Sequence, residues 1–115
     1  MVIQIIRDQI SFESLKEIAK GQFGYMVKAV VDIRRKIMAV GGELHADEEV
    51  LLSEDGSERE DVWGINLYLE NSPEDWIAFD SMINIKPQYG NRSRGVEDVG
   101  IQQKIKTIVN EIVVR

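Results

Sequence analysis

Residues 62–69 restrict most tightly what this chain can become. From Val62 to Leu69 the side chains alternate: Trp63, Ile65, Leu67 and Leu69 on one side of an extended backbone, Gly64, Asn66 and Tyr68 on the other. Successive side chains of a strand point to opposite faces, so the run predicts a strand with one wholly apolar face. Tyr25–Ile33 repeats the pattern, with Tyr25, Val27, Ala29, Val31 and Ile33 on one face and Met26, Lys28, Val30 and Asp32 on the other. Two such strands commit the chain to a sheet, and the sheet needs an apolar cover.

The cover is written in two amphipathic runs. Ser11 predicts a helix N-cap, flanked by Ile10 and Leu15 as a hydrophobic staple. Phe12, Leu15, Ile18 and Ala19 then recur at helical spacing until Gly21 and Gly24 stop the run. Asp98 predicts a second cap, before a stripe of Ile101, Ile105, Ile108, Val109 and Ile112. Val2–Ile6 reads as a short first strand. Arg34, Arg35 and Lys36 read as the tip of a hairpin into Ile37–Val40, a solvated cluster that is also basic enough to touch an anionic partner. Trp76–Ile85 reads as the last strand, with Ile77, Phe79, Ser81, Ile83 and Ile85 on one face, ended by Pro87, which has no N–H for a ladder.

Residues 43–61 stay ambiguous. Asp47 can cap a short helix through Leu52, or residues 50–52 can form one arm of a hairpin that turns at Asp55-Gly56 and closes on Val62. The sequence leans to the hairpin. The element order predicts an α+β fold in a single domain over residues 1–115: an antiparallel sheet of four to six strands with two helices packed on one face. Lys28, Asp32, Asn66, Asp80 and Asn84 would then line the opposite face.

Charge and composition narrow the function classes. Fourteen basic against twenty acidic residues give a net charge of −6, which disfavours nucleic acid, whose phosphates need a basic face. Nine of the twenty acids fall in residues 43–61, an acidic face for solvent. Without cysteine there is no disulfide, thiolate nucleophile or cysteine-bound metal, which fits a reducing, cytoplasmic setting. The apolar residues before Arg7 are too few for a signal sequence or membrane span, so a soluble protein away from membranes is expected.

Three constellations carry candidate chemistry. Gly90-Asn91-Arg92-Ser93-Arg94-Gly95 lies between a strand and a helix start. Its backbone amides, two guanidinium groups and a hydroxyl suit a phosphate or carboxylate, although Glu97 and Asp98 compete with an incoming anion. Asn91, Arg92, Ser93 and Arg94, with Tyr89 beside them, are therefore the ligand-binding candidates. His45 is the single histidine, and any imidazole acid–base role falls to it, with Asp47 or Asp80 as partner. If residues 43–47 are extended, Glu43, His45 and Asp47 share one side and offer ligands to a divalent cation. No sequence motif names a cofactor.

Several blocks also resemble a known family. They are Ala29–Asp32, Gly42–Glu49, Trp63–Asn66, Phe79–Ile85 and Gly90–Asp98, and the similarity around them extends over nearly the whole chain, from about residue 10 to the final helix. The chain is similar to a family of short prokaryotic proteins catalogued as a domain of unknown function. The resemblance implies one self-contained domain from a prokaryote and carries no activity, substrate or cofactor.

Two function classes follow. With no complete catalytic constellation, the first is a protein-interaction or oligomeric module, expected as a homodimer or bound to another protein. The second is a small enzyme or ligand-binding protein for an anionic molecule. It requires His45 and the arginine loop to meet in space.

Overall fold

The two alternating runs pair with each other at the centre of the sheet. The computed structural model describes residues 2–115. Its elements are β1 (Gln4–Ile6), β2 (Ile10–Ser11), α1 (Phe12–Lys20), β3 (Met26–Asp32), β4 (Ile37–Val40), α2 (His45–Glu54), β5 (Val62–Tyr68), β6 (Ile77–Ala78), α3 (Val99–Ile112) and β7 (Val113–Val114). Five strands form an antiparallel sheet in the order β1-β4-β3-β5-β6, with Lys28 directly opposite Asn66 on the central pair. β2 and β7 form a separate short parallel pair that ties the end of α3 to the start of α1. Among the described residues no helix is long and apolar enough to cross a membrane.

The expected caps are present. The Ser11 hydroxyl accepts from the Ser14 amide, and the Asp98 carboxylate accepts from the amides of Gly100 and Ile101. Both helices lie on one face of the sheet. Leu15 and Ala19 of α1, and Ile105, Val109 and Ile112 of α3, pack on Val27, Ala29, Val31, Ile65 and Leu67. The class is α+β, as the sequence predicts, but the helix count is three.

The third helix corrects the hairpin expected over residues 43–61. His45–Glu54 is α2, and it covers the other face of the sheet, where Leu52 joins Val30, Ile37, Ala39, Val62 and Ile83. Ala46, Glu48, Glu49, Leu51 and Leu52 are strong helix formers, and Gly56, at φ 109°, takes the chain away afterwards. The helix lacks an amphipathic signature because its buried face carries His45 and Glu48 as well as Leu52. β3 is consequently covered on both sides, which a two-helix layout does not provide.

The last strand is the second correction. Only Ile77 and Ala78 pair with β5; the chain then turns through short 3-10 helices at Met82–Asn84 and Pro87–Tyr89. A side chain replaces the missing ladder. Asn84 Oδ1 accepts from the Gly64 amide at 2.8 Å and Asn84 Nδ2 donates to the Gly64 carbonyl at 3.0 Å, so an amide side chain satisfies the free edge of β5.

Candidate functional site

The segment after β6 is held by buried polar side chains. Asn91 Nδ2 donates to the carbonyls of Asn84, Ser93 and Gly95, and its Oδ1 accepts from the Glu97 amide. Lys86, fully buried, donates to the carbonyls of Arg59 and Val62, and its ammonium lies 3.7 Å from the centroid of the Trp63 ring. Burial lowers the Lys86 pKa to about 8. This framework fixes where Asp80, Ser81 and Arg94 stand.

Those three meet α2 and the sheet at one cleft. It has a volume of about 220 Å³, and Lys28, His45, Asn66, Asp80, Ser81 and Arg94 contribute to its walls, with Leu44 and Met82 beside them. Arg94 Nε donates to Asp80 Oδ1 at 2.8 Å. The amino end of α2 opens on the same cleft without a side-chain cap, Leu44 standing at the cap position. The amides of Asp47 and Glu48 reach the Leu44 carbonyl, whereas those of His45 and Ala46 have no partner among the described residues. Unsatisfied amides and the positive end of the helix dipole attract anions.

His45 is buried in the wall, and its Nε2 lies 2.8 Å from the Ile65 carbonyl oxygen. A carbonyl only accepts, so Nε2 carries the hydrogen and Nδ1 is left as the basic nitrogen of the neutral ring. Burial lowers the His45 pKa; nearby Lys28 lowers it too, while the Ile65 carbonyl, Asp80 and Asn66 oppose the shift. One turn further along α2, Glu48 is fully buried, with Oε2 accepting from the Gly42 amide and Oε1 unpartnered. Burial pushes its carboxyl up to about 9, so it is a neutral acid at pH 7. Asn66 Oδ1 is a second buried acceptor without a partner in this layer.

The cleft gathers His45, Asp80 and Arg94 out of the residues singled out from the sequence, and leaves the others elsewhere. Asn91 is a buried structural hub. Arg92 and Ser93 are exposed, and their amides, the donors expected to hold an anion, are both filled by Glu97 Oε2 at 2.9 Å. The loop thus binds the chain's own carboxylate, and those contacts lower the pKa of Glu97. Tyr89 is exposed away from the cleft. Glu43, His45 and Asp47 do not converge: residues 45 and 47 sit on a helix, where two positions differ by roughly 200°, and His45 is buried while Asp47 is exposed. Among the described residues no three His, Cys, Asp or Glu side chains are arranged to hold a metal ion.

The basic hairpin tip is engaged as well. Arg34 pairs with Asp61, and Arg35 pairs with Asp55, which Arg7 also holds. Three polar components of the cleft were not singled out as site residues: Lys28, Asn66 and Ser81. The first two carried a signal, since they are the polar interruptions on the inner positions of two apolar strands. Ser81 carried none, because a continuous strand would have turned it to the α1 and α3 side.

Residues 4–112 match the family model described as Protein of unknown function (DUF5674), and the chain belongs to that family. No curated protein and no solved structure matches the chain.

Proposed function

We propose that this member of a family of unknown function binds a small anionic ligand, a phosphate or carboxylate, in the cleft at the amino end of α2. The observation that carries the reading is the uncapped start of α2 opening on the same cleft as Lys28 and Arg94. Two cations and a pair of unsatisfied amides outweigh the single carboxylate of Asp80, even though burial disfavours a positive charge on His45. The Asp80–Arg94 pair is largely exposed, so it costs little to loosen when a ligand arrives.

Titration of the protein with inorganic phosphate and with small dicarboxylates, followed by amide NMR shifts and thermal unfolding, tests this. Saturable shifts are expected at the amides of His45 and Ala46. At a hundred times Kd the stabilisation should be about 2.7 kcal/mol. Arg94→Ala should abolish both. Shifts centred on Arg92 and Ser93 instead, or no saturable shift, would sink the reading.

A second reading, an interaction or oligomeric module, is favoured by one observation. Leu44, Val50 and Met82 are 56%, 56% and 66% exposed on the α2 side, apolar surface that a partner would bury. Light scattering on the purified chain should then give a mass above that of one chain, reduced to one chain by Val50→Asp. A monomer in the wild type removes the self-association form of this reading.

A further inference from the structure

We propose that Ser81 is a nucleophile with His45 as its general base, and that the cleft hydrolyses a small ester carrying an anionic group. The substrate's charge rests on the anion-binding reading above; the nucleophile and base stand on different atoms.

Gly64 brings the two side chains together. It lies in the middle of β5, where glycine weakens a strand, yet any larger residue is excluded. A Cβ at this position would fall 2.5 Å from both Cβ and Oγ of Ser81 and 3.2 Å from Cγ of His45. The hydroxymethyl group and the imidazole therefore meet over the same backbone atom, and both contribute to the cleft.

Their unused hydrogen-bonding groups are complementary. Ser81 Oγ accepts from the Ile83 amide at 3.3 Å, a long bond that leaves its own hydrogen without an acceptor among the described residues. His45 gives its Nε2 hydrogen to the Ile65 carbonyl, so Nδ1 keeps the lone pair of the neutral ring, with the Asn66 side chain also close to the imidazole. A hydroxyl with an unused hydrogen and an imidazole with a basic nitrogen thus approach the same backbone atom, and the base is oriented by a third group, here a backbone carbonyl. Nucleophile, base and orienting group are the three parts of an activated hydroxyl. No hydrogen bond joins Ser81 to His45 in the free protein; the hydroxyl has to turn from Ile83 for the transfer, and such bonds tighten on substrate binding.

The remaining parts are at hand. The free amides of His45 and Ala46 are donors for an oxygen that becomes negative. Lys28 and Arg94 hold the charged group of the substrate. In the first step Ser81 Oγ bonds to the ester carbonyl carbon and its proton passes to His45 Nδ1. The carbon–oxygen bond to the alcohol then breaks, and the alcohol leaves with that proton. A water molecule attacks the acyl-serine and gives a proton to Nδ1. That proton returns to Ser81 Oγ as the acid departs.

The test is covalent labelling with a small fluorophosphonate, read by intact mass and peptide mapping. One adduct on Ser81 is expected in the wild type, none in Ser81→Ala, and labelling slowed about 100-fold or more in a folded His45→Gln. An unlabelled Ser81 in the wild type, a measurement that needs no variant to fold, overturns the proposal, as does labelling unaffected by His45→Gln. Phosphate titration of the same samples separates the two ideas. Labelling without phosphate binding keeps the nucleophile and removes the anion site; phosphate binding without labelling does the reverse.

Discussion

The two faces of the sheet are built from opposite materials. Under α1 and α3 the contact is almost wholly apolar, with Leu15, Ala19, Ile105 and Val109 against Val27, Ala29, Ile65 and Leu67, the buried indole N–H groups of Trp63 and Trp76 being its unpartnered polar atoms. Under α2 a smaller apolar cluster shares its layer with Lys28, His45, Glu48, Asn66, Ser81 and Asn84. Burial of apolar area stabilises the first face, at roughly 25 cal/mol per Å². The second face carries unpartnered side-chain oxygens on Glu48 and Asn66, each of which costs free energy. One face holds the fold together, and the other holds a site at some expense of stability. The candidate cleft is on the second.

Mutations should expose that division, the largest effect first. Ile105→Ala removes a fully buried side chain from the apolar face and should destabilise by about 4 kcal/mol in urea unfolding. Asn84→Ala, on the polar face, strips partners from the Gly64 amide and from the carbonyls of Gly64 and Arg94. It should cost about 3 kcal/mol, since buried groups are left unpaired. A cost for Asn84→Ala near zero would erase the difference between the faces, because the polar layer would then be ornament rather than framework.

The smallest effect has the opposite sign. The Glu48 carboxyl titrates at 4.5 when free and at about 9 when folded, so above pH 4.5 the folded protein holds a proton that the unfolded chain has released. Stability from this group is therefore full below 4.5 and is lost as pH rises toward 9. Glu48→Gln keeps the neutral form at every pH. It should stabilise the protein at pH 7 by on the order of 2 kcal/mol, with the gain growing toward pH 9 and vanishing below 4.5. Urea unfolding across that range measures it. A loss of stability at neutral pH would mean that Glu48 is ionised and paired, and the polar face would no longer be the costly one.

The same division explains what could be read from the chain. β3, β5, α1 and α3 were legible because each buries an apolar set at the period of its own geometry, and Ser11 and Asp98 announce the two helix starts by local hydrogen bonds. α2 was not, since its inner face presents His45 and Glu48, and periodicity cannot distinguish a buried polar residue from an exposed one. The segment after Ala78 misled for a related reason. It alternates like a strand, but Asn84 supplies the strand's hydrogen bonds from a side chain and Ser81 begins a turn. Of the site, His45, Asp80 and Arg94 were legible as residue types. That the arginine loop is filled by Glu97 was foreshadowed only by the presence of that acid nearby.

The α+β class, the strands β3 and β5 taken singly, the two amphipathic helices and their caps follow from the sequence alone, because these depend on spacing within a few residues. Only the tertiary structure decided that α2 lies over the polar face of the sheet. That packing buries His45, raises the pKa of Glu48 and brings Ser81 and Arg94 to the amino end of the helix. Desolvation and the meeting of residues from four distant segments are properties of the folded chain, and no local pattern encodes them.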